Sequence, residues 1–232
     1  NMNKIKTFKT FNKRDLIYAI EILDIEFIKN YISLGGNLNI KNDDGYTALT
    51  LATFVDDVEI VKLLLNSKVN INQQDRKGFT TLIRAIQENN YKITKLLLDS
   101  GADISKQTEN GDTALIWAAS KNNIEIIKLL LNAGADIDKQ NIYGNTALII
   151  ASLNNKYEIV KLLLNAGAYI DKQDNGGDTA LTSAAFNNNR EIIQLLLDYG
   201  ADEFILNDRD KSFYNYLNDE NKEYFIQKYP TS

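Results

Sequence analysis

The side chains that could do chemistry are unevenly supplied. The chain has 31 Asp and Glu, 26 Lys and Arg, no histidine and no cysteine in 232 residues. General acid–base catalysis most often uses histidine, and a serine or threonine nucleophile needs an adjacent base. The commonest routes to catalysis are therefore closed. Without cysteine there is no thiolate nucleophile, no disulfide and no thiolate metal site. A carboxylate pair or an oxygen-ligated cation is the chemistry left open. Yet Asp103, Asp136 and Asp202 each stand two places after a recurring glycine, Gly101, Gly134 or Gly200, which marks them as parts of a repeated turn. The stretch "DNGGDT", residues 174–179, is one more copy of a recurring Gly-x-Thr start with an extra Gly176, and no phosphate-binding glycine loop is read. The expectation is a protein that is not an enzyme, with no catalytic residues, no cofactor and no metal.

Charge and hydropathy narrow the partners. A formal net charge of −5 gives no basic field for nucleic acid or anionic lipid. Apolar runs such as Leu129 to Leu131 are a few residues long, far below a membrane span. The N-terminal "NMNKIKTFKT" is not followed by an apolar stretch of secretory length. No signal peptide is read, a cytoplasmic location is expected, and Asn1 ahead of Met2 reads as a cloning remnant.

The elements that position these side chains repeat. Gly45, Gly78, Gly111, Gly144 and Gly177 lie 33 residues apart, each two places before Thr47, Thr80, Thr113, Thr146 or Thr179. Leu49, Leu82, Leu115, Leu148 and Leu181 keep the same step, as do Ala52, Ala85, Ala118, Ala151 and Ala184. A fixed period of this length means stacked supersecondary units. Within a unit, Thr113 is placed to cap a first helix with its hydroxyl. That helix stops near Asn122, whose counterparts Asp56, Asn89, Asn155 and Asn188 all tolerate left-handed backbone. A second helix follows with a broad apolar surface, Ile126, Ile127 and Leu129 to Leu131, and Gly134 ends it. Glu59, Glu125 and Glu158 fall in the first turn of second helices with Lys62, Lys128 and Lys161 three places on, which predicts three surface ion pairs.

The Gly-x-Thr-Ala-Leu starts, the "EIIKLLLNAGADID" second helices and the period itself make this chain resemble an ankyrin-repeat protein. The resemblance is strong over residues 45–209 and implies an all-α fold, an ankyrin-repeat solenoid of stacked helix-turn-helix units with hairpin loops. The expected organisation is an N-terminal extension, 1–11, a capping repeat, 12–44, and five repeats, 45–77, 78–110, 111–143, 144–176 and 177–209. A degenerate capping repeat, 210–232, closes the stack, because a terminal unit has one neighbour and must show water its other side. The family's usual first helix begins Thr-Pro-Leu-His. Here the proline slot holds Ala48, Thr81, Ala114, Ala147 and Ala180, and the histidine slot Thr50, Ile83, Ile116, Ile149 and Thr182. Three of these five predict apolar packing where the family ties repeats by hydrogen bonds. Lys68 takes the place of a helix-ending glycine.

In the family, the hairpin tips and the exposed side of the first helices form a concave groove, and its positions are those that vary while the scaffold recurs. Here Tyr46, Phe54, Val55, Phe79, Ile142, Tyr143, Leu153 and Phe186 are apolar where a bare scaffold would be polar. Arg76 and Lys77 add a positive spot beside Phe79, Lys121 ends a first helix, and Trp117 shares its register with Leu51, Arg84, Ile150 and Ser183. Aromatic anchors are how interfaces concentrate binding energy. These twelve residues form the expected binding site for another protein on a monomeric scaffold. Three other readings are open: a host-directed secreted effector acting by protein binding, a metabolite-binding or enzyme-regulatory subunit, and self-association through the aromatic C-terminal Phe213, Tyr214, Tyr216, Tyr224 and Phe225.

Overall fold

The computed structural model describes residues 13–229. The N-terminal extension expected over 1–11 lies outside the described residues, as do residue 12 and residues 230–232 of the two expected capping repeats. The chain divides into two compact units, Asn1–Glu109 and Asn110–Ser232. In the first unit the helices are α1 (Lys13–Glu21), α2 (Ile25–Ser33), α3 (Ala48–Phe54), α4 (Val58–Leu65), α5 (Thr81–Gln87) and α6 (Tyr91–Asp99). The second has α7 (Ala114–Lys121), α8 (Ile124–Asn132), α9 (Ala147–Leu153), α10 (Tyr157–Asn165), α11 (Ala180–Phe186) and α12 (Arg190–Asp198), then a 3-10 turn, Phe213–Tyr216, and α13 (Asp219–Lys228). Among the described residues there is no strand, and one isolated antiparallel bridge joins Lys41 to Thr47. The all-α repeat architecture is the expected one.

Local chemistry sets the helix ends. Thr47, Thr80, Thr113, Thr146 and Thr179 each accept the backbone N–H three residues on, so every first helix of the five Gly-x-Thr starts is capped alike. Asp56, Asn89, Asn122, Asn155 and Asn188 end them in left-handed backbone, with φ between 51° and 62°. Asp24, Asp57, Asn90, Asn123 and Asn189 cap the second helices, whereas Lys156 stands at that position before α10 and makes no side-chain cap. First helices of seven or eight residues are too short to be stable alone, so packing must hold them. Within the first unit α3 lies against α1 and α5, and α4 against α2 and α6; within the second α9 lies against α7 and α11, and α10 against α8 and α12. Each first helix meets its neighbours through a buried leucine and alanine, such as Leu49 with Ala52 or Leu148 with Ala151.

The departures in the first helices resolve in two ways. Ile83, Ile116 and Ile149 are buried, giving the apolar packing expected of them. Thr50 instead joins a buried hydroxyl chain, 2.9 Å from Thr47 and 2.9 Å from Thr81 of the next helix pair, so one threonine in the histidine slot ties two repeats. Lys68 adopts φ 60°, the left-handed geometry that Gly35 and Gly101 adopt one period to either side.

Of the three expected ion pairs, Glu125 with Lys128 closes at 2.9 Å. Glu59 is reached by Lys29 at 3.4 Å in place of Lys62, and Glu158 has no ion pair with Lys161. Exposed lysines are long and solvated, and they settle on whichever carboxylate the packing brings near. The C-terminal aromatics turn inward: Phe213 and Phe225 are fully buried, and Tyr214, Tyr224 and Tyr229 donate to Glu203, Gln194 and Asp198. The self-association reading thereby loses the exposed aromatic face it requires.

Candidate functional site

The hairpin tips are built by one device. Asn42, Asp75, Asn141, Asp174 and Asn207, all in one register, accept with Oδ1 from the backbone N–H groups two and four residues on. The side chain closes the turn and fixes the tip. In the first four a glycine three residues on has positive φ, a place taken by Asp210 after Asn207, and it lies against the next tip: a Cβ on Gly78 would stand 2.7 Å from the Glu109 nitrogen, and one on Gly177 2.8 Å from Asn207. Main-chain bonds then link tip to tip within each unit, Glu109 N–H to Lys77 in the first, and Ile142 to Asn110, Asn175 to Tyr143 and Asp208 to Gly176 in the second. Below them runs a side-chain ladder in which Gln74 donates to the Gly78 and Gln107 carbonyls, Gln140 to Gly144 and Gln173, and Gln173 to Gly177 and Leu206. The repeated Asp103, Asp136 and Asp202 fold their own turns by accepting from the residue two places on. Their carboxylates serve turn structure, and among the described residues no group of three His, Cys, Asp or Glu could hold a metal ion.

In the first unit the candidate residues gather around a group the sequence reading did not single out. Arg84 on α5 donates through Nε and Nη2 to Asp75 Oδ2, at 3.0 and 2.5 Å, and through Nη1 to Gln87 at 2.8 Å. Arg84 and Asp75 are both buried. The Phe79 ring lies 3.8 Å from the guanidinium and the Tyr46 ring 5.4 Å from it, with Phe54 packed edge-on to Tyr46 at 5.1 Å. Tyr46 and Phe79 are thus half-buried over a cation of their own unit. Arg76 donates to the Asp43 carbonyl at 2.7 Å, tying down the preceding tip, while Lys77 beside it is exposed. Val55 is half-buried at the C-cap of α3. The signal for Arg84 was present: it is the one charged residue in a register otherwise filled by Leu51, Trp117, Ile150 and Ser183, and Asp75 replaces the asparagine of Asn42 and Asn141.

The second unit leaves more apolar surface open. Ile142 and Tyr143 at a tip are each 55% exposed, Leu153 at the end of α9 41%, and Phe186 at the end of α11 65%. Leu153 and Phe186 line one cleft of about 400 Å³, together with Asp174, Asp178, Ser183 and Tyr216, and Arg209 stands in its wall. Phe186 and Tyr216 face each other across 6.1 Å. Ile142 and Tyr143 are not among the cleft's lining residues. Trp117 is half-buried on α7, and Lys121 is exposed at its last turn. No helix among the described residues is long and apolar enough to cross a membrane.

Capped helix pairs and glycine-locked tips recurring every 33 residues define a repeat protein. The sequence model of the family described as Ankyrin repeats (3 copies) matches residues 16–108, 101–174 and 139–208, and the chain belongs to the ankyrin repeat family. Ankyrin repeat domains are in general protein–protein interaction modules. Among solved structures the chain is similar to the ankyrin repeat domain of Bcl-3, a member of the IkappaB protein family, at 28% identity and a TM-score of 0.84 over 91% of this chain and 97% of that one. It is also similar to the human ASB11 ankyrin repeat domain, at 26% identity and a TM-score of 0.79 over 94% and 98%. A comparison with curated proteins found no match.

Proposed function

We propose that this chain binds another protein through its hairpin tips and the ends of its first helices and catalyses nothing. The observation that carries the reading is the set of exposed apolar side chains in the second unit, Ile142, Tyr143, Leu153 and Phe186. Loops that carry large apolar groups into water gain by covering them, about 1.5–3 kcal/mol for each such side chain fully buried. In the first unit Phe54, Arg76 and Lys77 are the exposed members of the candidate set, set beside the Arg84 cluster.

The test is affinity purification with mass spectrometry from the native organism, comparing the wild type with Tyr143→Ala, Leu153→Ala and Phe186→Ala combined. These side chains are exposed, so circular dichroism and the unfolding midpoint should stay close to wild type while the partner is lost. A partner retained in full by the folded triple variant would refute the assignment.

A further inference from the structure

Two tips of this chain carry an aspartate in the turn-closing register, Asp75 and Asp174, where Asn42, Asn141 and Asn207 have the neutral amide. In both, Oδ1 is taken by two backbone N–H groups. Oδ2 is what differs. Asp75 Oδ2 receives the Arg84 guanidinium from nine residues on, on the first helix of the same repeat. Nine residues on from Asp174 stands Ser183, too short to reach, and Asp174 Oδ2 has no hydrogen-bond or ion-pair partner among the described residues. The C-terminal tip closes the same space differently, Asn207 donating to the hydroxyl of Tyr216, again nine residues on.

Where Arg84 fills the first unit, the second has its cleft. Ser183 is 8% exposed, its hydroxyl makes no hydrogen bond among the described residues, and it lines the cleft with Asp174. Asp178 occupies the register of Phe79 and adds a second carboxylate, of which Oδ1 is held by Asn207 at 2.7 Å. Phe186 and Tyr216 supply the rings that Phe79 and Tyr46 supply around Arg84. Arg209, in the wall, is exposed and forms no ion pair among the described residues, so two carboxylates face one cation.

We infer that this cleft receives an arginine side chain from the partner polypeptide, whose guanidinium takes on Asp174 the place that Arg84 holds on Asp75. The inference rests on the protein-binding reading above and names the chemistry of the bound segment: an arginine flanked by apolar residues that lie on Phe186 and Leu153. The planar two-donor fork of Arg84 is the internal template, which favours guanidinium over the ammonium of lysine.

The experiment selects random twelve-residue peptides on the immobilised full chain and measures each selected peptide by fluorescence polarisation before and after its arginine is replaced by citrulline. Arginine should be enriched among the selected peptides. Citrulline should weaken binding at least tenfold on the wild type, as should Asp174→Asn and Ser183→Arg in the protein, while Arg209→Ala binds at least as tightly as wild type. Asp174→Asn keeps the turn, as Asn42 and Asn141 do, and Ser183→Arg fills the cleft from within, so one variant removes the charge and the other the space. Selected peptides without arginine, losses below threefold with citrulline or Asp174→Asn, or a loss with Arg209→Ala would each overturn the inference. Peptides that lose binding to Phe186→Ala and Leu153→Ala but not to Asp174→Asn would leave the cleft as a protein-binding site without an arginine. Peptides indifferent to Phe186→Ala, Leu153→Ala, Asp174→Asn and Ser183→Arg would remove the cleft itself from the protein-binding reading.

Discussion

Around Arg84 in the first unit and around Ser183 in the second, the backbone does the same thing with opposite results. Both regions have a tip closed by an aspartate, a first helix capped by threonine and aromatic rings beside them. In the first the carboxylate, the guanidinium and two rings satisfy one another, and little is left for solvent or partner. In the second a serine in place of the arginine leaves the carboxylate and two rings around open space. A repeat scaffold fixes where demands for charge and apolar cover arise. It leaves to a single side chain whether they are met from inside.

The largest test of that contrast is Arg84→Ala. Removing one partner of a buried pair strands the other charge, at a cost of about 3 kcal/mol, to be read from urea unfolding. Adding Asp75→Asn to Arg84→Leu should recover most of it, because asparagine closes the same turn elsewhere in the chain. Ser183→Ala, at the matching position, should shift stability by less than about 0.5 kcal/mol. Equal losses at the two positions would break the comparison.

A smaller effect is expected at the cap of α10. Asn at Lys156 would supply the bond that Asn123 and Asn189 make in the flanking repeats, raising stability by about 1 kcal/mol. Asn189→Ala should lower it by a similar amount. In the first unit, Lys68→Gly should gain about 0.5 kcal/mol, since relief of left-handed strain outweighs the extra freedom of the unfolded glycine. All three changes are measurable as shifts in the denaturant midpoint.

The least effect concerns pH at the C-terminal cap. The Tyr229 hydroxyl, donating to Asp198, holds that carboxyl below its ordinary value of 3.8, and burial with the same bond raises the phenol above 10.0. The Asp198 contribution is present above the unfolded value and is lost as pH falls through the folded one. The Tyr229 contribution is present below about 10 and is lost as pH rises through its folded value. Tyr229→Phe should lower stability in the middle of the pH range and converge with wild type at both ends, where these contributions are already lost, as followed by urea midpoints from acid to alkaline pH.

Much of the fold was legible because it is local. Threonine caps, left-handed Asn and Asp, and glycine stops each depend on a few neighbouring residues, and recurrence every 33 residues confirmed them by internal comparison. What escaped were interactions across the period. The ladder of Gln74, Gln140 and Gln173 aims at backbone carbonyls one repeat away, so no complementary side chain announces it, although the glutamines themselves recur visibly with Gln107. The Arg84 cluster escaped because Tyr46 and Phe79, read singly, look like anchors for a partner. The exposed lysine pairs were over-read, since helical spacing brings charges near without holding them there.

The glutamine ladder has an evolutionary consequence. Its donors Gln74, Gln140 and Gln173 recognise a main-chain oxygen, which every amino acid carries, and each meets it 33 residues on. A repeat joined this way asks nothing of its neighbour's side chains at that seam. Gene duplication or loss of a whole 33-residue segment would therefore reseat the seam without compensating substitutions, so such a chain can change its length in single steps while the side chains at its tips diverge one at a time.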